Sequence, residues 1–298
     1  MDQADSAPAK AELDFHDLFQ TKRPGDVILQ AGDDEAKCFY FRLALLAELS
    51  SFFANLPTPS SDDLIDGTPL IPLHGTTSDG LAIFLAAVRT TTLLRSDVLL
   101  SGTGFILPPT HILEAAAVAK VYDTPGVFRI LLDCMHKHHS DSYYDFALWA
   151  IADHPGKIEV VVKSTLQPGA RDITSVEPEV IAVVNAHAPQ AWSRLQDLHL
   201  RHIQAPKEFR RRIARGEFRL PYTSHRYDGV SNVVCDGTPE EVAEAVRQRY
   251  LRADSVDDIH AVKRGNFGLT CERCQAESDE RYDEVLDWLW EFAMTYYV

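Results

Sequence analysis

The chain has few of the features that mark secreted or membrane proteins. Its 298 residues include only five cysteines. The odd count and scattered spacing read as reduced thiols, not as a disulfide framework. No Asn-x-Ser/Thr sequon occurs. Met1 to Glu12 are small, acidic and polar, without the basic start and apolar run of a signal peptide. The longest apolar stretches, such as Leu81 to Val88, are far too short to span a bilayer. The expectation is an intracellular protein, cytoplasmic or nuclear, with no membrane partner.

Signatures of known catalysis are also missing. There is no P-loop, no Gly-x-Ser-x-Gly and no full dinucleotide fingerprint, since Gly102-Thr103-Gly104 lacks the third glycine. No pair of carboxylates stands out as an acid/base couple. The formal charge is −15, which disfavours non-specific contact with nucleic acid and anionic lipid. Apolar residues make up 45% of the chain, enough to bury a core.

What is present has a readable order. Met1 to Glu12 is expected to be a mobile tail, and Leu13 to Phe19 a short helix or added edge strand. Pro24-Gly25 breaks the chain, and Asp26 to Ala31 reads as a strand. Its run Val27-Ile28-Leu29 suits a strand covered on both faces. Gly32 to Glu35 is a hairpin turn and Lys37 to Phe41 the returning strand. Leu45, Leu46, Leu49, Phe52 and Phe53 then give one apolar helical face. Pro57 to Gly67 reads as a polar loop and Pro69 to His74 as a strand. Thr77 or Ser78 caps a helix that Thr90 to Thr92 interrupts. Pro108-Pro109 and Thr124-Pro125 open two more helices. From Tyr143 onward the pattern is helical, with one or two helices between Pro178 and Gln204 and a last helix from about Asp279.

This order resembles the BTB/POZ family, especially its fungal members. The resemblance rests on Gly25-Asp26-Val27-Ile28-Leu29, then Phe39-Tyr40-Phe41-Arg42-Leu43-Ala44-Leu45-Leu46, then Leu49-Ser50-Ser51-Phe52-Phe53. It continues in Ile112-Leu113-Glu114-Ala115-Ala116, Tyr122-Asp123 and Gly126-Val127. It covers roughly residues 22–140. It implies an α+β fold, a small mixed sheet capped by helices, followed by a mainly helical C-terminal half. The implied division is a tail and lead-in at 1–21, a BTB/POZ-like domain at 22–140, a helical extension at 141–205, and a C-terminal helical region with a CxxC loop at 206–298. The implied function is that of an adaptor: a module that binds other proteins, with self-association among the options, and that catalyses nothing. Candidate interaction residues are Phe15, Leu18 and Phe19 in the lead-in, Asp26, the one member of the family's charged pair kept in its place, and Arg42, offered as a substitute for the other from the neighbouring position, since the family's His-Lys/Arg aligns with Arg42-Leu43. The family's Tyr-Thr-Gly is replaced by Arg89-Thr90-Thr91, and no hydrophobic-x-Glu signature for a cullin is evident. Dimerisation and cullin recruitment therefore stay open.

Other motifs carry a functional and a plainer reading. Cys271 and Cys274 form a CxxC that can supply half of a tetrahedral zinc site, with Cys235 or a histidine completing it through folding. The plainer reading is an unmetallated knuckle with no cofactor at all. His136 and His139, like His199 and His202, lie one helical turn apart, which suits either a metal or a helix end. Lys207 to Arg219, with Arg210-Arg211-Arg212, suits either nucleic acid in a nuclear regulator or the protein's own acidic groups. An enzyme with an unrecognised site is the remaining alternative. A cleft lined by titratable groups with displaced pKa values would favour it.

Overall fold

In the computed structural model, residues 13–60, 63–93, 107–167, 170–215, 247–264 and 272–294 are described. They form an α+β fold with a small mixed sheet and a predominance of helix. The chain divides into two compact units, Met1–Val162 with Thr174–Pro189, and Lys163–Ile173 with Gln190–Val298.

The first unit holds the sheet. Strands β1 (Asp26–Ala31), β2 (Cys38–Arg42), β3 (Leu64–Ile65) and β4 (Thr68–Leu73) lie in the order β2-β1-β4-β3. β1 pairs antiparallel with β2, placing Val27 opposite Phe41 and Leu29 opposite Phe39. Its other edge runs parallel to β4, with Leu29 opposite Ile71. Ile28 and Leu29 are fully buried, as the unbroken apolar run requires of a strand covered on both faces. β3 falls inside the stretch whose composition reads as polar loop. Two residues are too few to show a strand period.

Helices follow in quick succession. They are α1 (Leu43–Leu49), α2 (Ser51–Ala54), α3 (Ser78–Leu93), α4 (Pro109–Val121), α5 (Pro125–His138), α6 (Ser142–Ile151), α7 (Pro155–Thr165) and α8 (Pro178–His187). The division between the units falls inside α7. Proline at the first helical position of α4, α5 and α8 costs no hydrogen bond and presets φ. α3 is not interrupted at Thr90. The hydroxyls of Thr90 and Thr91 donate to the carbonyls of Ala86 and Ala87, at 3.1 and 3.0 Å, so the turn closes without breaking the helix. α3 and α4 pack closely: a Cβ on Gly80 would stand 2.7 Å from the Glu114 Cβ.

One carboxylate ties the hairpin to this layer. Asp33 Oδ1 accepts from the Ala36 N–H at 3.0 Å and from the Ser78 hydroxyl at 2.9 Å, and Oδ2 accepts from the Ser78 N–H. It thus folds the loop after β1 and satisfies the start of α3 at once. Beside it, Gly32 runs so close to the end of β4 that a Cβ would lie 2.9 Å from the Leu73 oxygen and the Gly75 nitrogen.

The second unit is helical where described, with α9 (Ala191–Ala214), an α-helical stretch at 247–252, α10 (Val256–Arg264) and α11 (Glu272–Met294). Its core is Phe209, Ile213, Tyr250, Ile259, Val285 and Leu289. α9 runs straight through Pro206, where the sequence reading places a regional boundary. Buried neighbours Ala205 and Phe209 hold that turn in place despite the missing N–H. Among the described residues no helix is long and apolar enough to cross a membrane.

Leu46, and not Leu49, is the anchor of α1: Leu46 is fully buried and Leu49 only half-buried. Leu46→Ala is therefore expected to cost about 2–5 kcal/mol in urea unfolding, and Leu49→Ala clearly less. Asp33→Ala should cost about 1–3 kcal/mol, because it strips partners from the hairpin loop and the start of α3 together. Equal effects at the two leucines would refute the packing described.

Candidate functional site

The lead-in residues sit against the outer edge of β2. Asp17–Phe19 form a single 3-10 turn. His16 starts it, its Nδ1 accepting from the Leu18 N–H at 3.3 Å while its ring stacks on Phe39. Burial, and then the charge of Lys37, push the His16 pKa below its ordinary value, which favours the neutral ring with a free acceptor nitrogen. The backbone of residues 14–16 covers β2 at one point. Cys38 donates to the Asp14 carbonyl at 2.7 Å and accepts from the His16 N–H at 3.0 Å. Alternation along β2 turns the Tyr40 N–H and C=O to that same edge. Phe15–Cys38 is the isolated bridge made there by the described residues.

The five candidate interaction residues part company in this setting. Leu18 is half exposed, at 51%, and Phe15 lies half-buried with its ring stacked on Tyr40 at 4.5 Å. Phe19 does not belong to an exposed patch. It is 2% exposed, packed against Phe39 and Phe41, and its ring lies 4.6 Å below the Arg89 guanidinium. A large ring packed against the sheet gains more from burial than from waiting for a partner. Arg89 was not legible as its cover, since the two are seventy residues apart in sequence and meet only through packing. Asp26 and Arg42 are register partners across β1 and β2, yet no ion pair joins them among the described residues. Asp26 accepts from the Arg23 N–H at 2.7 Å, closing the turn before β1, and Arg42 is exposed.

In the second unit the described residues enclose a half-open cleft of about 390 Å3. Thr165 at the end of α7, Arg171 and Asp172 in the loop that follows, His199, His202 and Ile203 on α9, and Asp254, Ser255 and Asp257 at the start of α10 all line it. The α10 end is held by a reciprocal cap. Ser255 Oγ accepts from the Asp258 N–H at 3.0 Å, and Asp258 Oδ2 accepts from the Ser255 and Asp254 N–H groups at 2.9 and 3.0 Å. The Ser255 side chain beside the carboxyl first, and then the Asp254 and Ser255 N–H groups, lower the Asp258 pKa.

His199, in the cleft, titrates well away from its ordinary value. Burial, with a smaller effect of His202 that outweighs Asp172, lowers its pKa to about 4. Its Nε2 shares a hydrogen bond of 3.1 Å with the Thr165 hydroxyl. A displaced histidine in a cleft is the sign named above for catalysis, but this pair is badly tuned for it. A base near 4 takes up protons weakly at neutral pH, and Thr165, though on the cleft lining, is 2% exposed. The arrangement is suited to polar contacts with a ligand rather than to activation of a nucleophile.

The remaining motifs fall elsewhere. Cys271 and Cys235 lie outside the described residues. Cys274 lies in α11, not in a loop, and its side chain is likewise outside them. His136 Nε2 stands 2.9 Å from Asp145, while His139 Nε2 meets the Leu107 carbonyl at 2.6 Å, so the two rings serve different partners. Among the described residues no group of three or more His, Cys, Asp or Glu is placed to hold a metal ion. Of the basic segment, Arg210 pairs with Asp254, Arg211 and Arg212 pair with Glu208, and the Arg212 guanidinium lies 5.1 Å over the Trp288 ring. Arg219 lies outside the described residues.

A histidine with a depressed pKa binds fewer protons folded than unfolded, so its contribution to stability is present above about pH 6.5 and is lost as the pH falls toward 4. His199→Gln is expected to flatten that part of the stability profile, read as urea midpoints between pH 7 and pH 4. An unchanged slope would show that His199 titrates normally.

No family model, curated protein or solved structure matches this chain.

Proposed function

We propose that the protein is an adaptor of BTB/POZ type that binds a partner protein through the β2 edge of its first unit. The observation that carries this is the combination of an antiparallel hairpin running directly into α1, a parallel return through β4, and an outer edge of β2 bridged among the described residues only at Cys38. The order agrees with the motif resemblance in the sequence. The edge supplies the physics of docking. Backbone groups at Tyr40 face outward for strand addition, and Phe15 and the exposed Leu18 supply apolar contact beside them.

Binding is favoured over catalysis because His199, a weak base, stands beside a Thr165 hydroxyl that is nearly fully buried. A nucleic-acid role for the 207–219 segment draws little support. Three of its arginines already pair with the chain's own carboxylates, and the net charge repels phosphate.

A stable complex needs roughly 800 Å2 of surface from each partner. Leu18→Asp tests this edge, because Leu18 is exposed where Phe19 is not. The variant should unfold within about 0.5 kcal/mol of the wild type. It should also lose self-association in light scattering, or lose the proteins that the wild type captures in quantitative affinity purification. Wild type and variant that are both monomeric and capture the same proteins equally would refute the proposal.

A further inference from the structure

The lead-in of the first unit is fastened to β2 at Cys38, and a titratable ring sits at that fastening. The His16 N–H donates to the Cys38 carbonyl at 3.0 Å, and the Cys38 N–H donates to the Asp14 carbonyl at 2.7 Å. His16 also opens the turn Asp17–Phe19. Its Nδ1 accepts from the Leu18 N–H at 3.3 Å, and its carbonyl accepts from the Phe19 N–H at 2.9 Å. The half-buried ring lies against Phe39, stacked at 5.1 Å, and against Phe19 at 5.8 Å. Acceptance at Nδ1 requires that nitrogen to carry no proton. A second ring proton removes the acceptor and sets one N–H against another.

Charges face the ring from each neighbouring segment. Lys37, just before β2, repels a positive ring and is itself paired with Glu35 at 3.3 Å. Asp79 on α3 attracts one and also meets His111 of α4 at 3.4 Å. Asp17, in the turn itself, attracts one as well. Asp14 stands near Lys37 and the Cys38 thiol, and Arg89 of α3 lies over the Phe19 ring. Burial and Lys37 outweigh the carboxylates, so the ring takes up its second proton only below about pH 6.5.

We propose that residues 14–19 are a pH-released strap on the β2 edge, latched by the neutral His16 ring. Protonation unlatches it, and the backbone of Cys38 joins that of Tyr40 on the open edge. The latch holds above about pH 6.5 and weakens as the pH falls through the lower value of the closed state. What the longer edge does for a partner strand rests on the docking role proposed above, while the strap itself does not.

The test follows the full chain by NMR with isotope-labelled histidine, and by amide exchange corrected for its intrinsic pH dependence. The His16 ring is expected to titrate below pH 6.5, and Cys38 amide protection to fall several-fold with the same midpoint. Phe39 and Phe41, whose N–H groups face β1, should keep their protection. Lys37→Gln should move both midpoints up, and Asp79→Asn should move both down, with the ring and strap intact. His16→Asn, whose side-chain oxygen accepts the same bond without titrating, should hold Cys38 protection level across this range. A His16 ring that titrates with Cys38 unaffected, or midpoints that differ or ignore Lys37 and Asp79, overturns the proposal. So does protection lost equally at Cys38, Phe39 and Phe41, or a loss with falling pH that persists in His16→Asn. No partner enters these measurements, so the strap can fail while Leu18→Asp still disrupts docking, and can hold where docking fails.

Discussion

The first unit depends on one constraint: β1 must be paired on both edges and covered on both faces. Val27, Ile28 and Leu29 have no polar alternation, so neither face can be left to water. The antiparallel hairpin satisfies one edge cheaply, through a short loop. The other edge needs a parallel partner, and a parallel partner needs a crossover. α1, α2 and the short β3 segment lie along that crossover. Asp33 then fastens the far end of the hairpin to α3, the helix that follows β4. The single carboxylate joins two elements that the chain separates by more than forty residues.

The same economy leaves the two candidate sites where they are. Covering β1 makes β2 an edge strand, and residues 14–16 protect that edge only at Cys38. An edge of this kind invites another strand unless something blunts it. In the second unit, α9 anchors itself above and below a gap, and the gap is lined by histidines instead of leucines. Aliphatic side chains at positions 199 and 202 would extend the core. Histidines there keep polar groups at a half-open surface, one of them neutral and hydrogen-bonded to Thr165.

Much of the first unit was legible because its signals are local. The hairpin and proline at helix starts follow from spacing within a dozen residues, whereas the single helical face expected from Leu45 to Phe53 is broken by extended Ser50 into α1 and α2, with Phe52 44% exposed. The misreadings have one physical origin. Whether Leu46 or Leu49 is the anchor of α1, and whether Phe19 is exposed, turns on what packs against them. For Phe19 the cover includes Arg89. Thr90 and Thr91 looked like a break because threonine is a poor helix former, yet their hydroxyls return to the helix backbone. Of the candidate sites, the exposed Leu18 and the basic character of the 207–219 segment were readable. The cleft was not, since its lining comes from residues 165–173, 199–203 and 254–257.

By itself, then, the sequence determined the hairpin and the proline-started helices of the first unit, the sign of the net charge, and the absence of familiar catalytic motifs. Each of these depends on residue identity and short-range period. Tertiary structure decided which apolar residues are core and which are available to a partner. It carried α9 through Pro206, because buried Ala205 and Phe209 fix the turn more strongly than the missing N–H loosens it. It also turned two ordinary histidines, an arginine and a few aspartates into one lined cleft, because side chains distant in sequence share an environment only after the chain has packed.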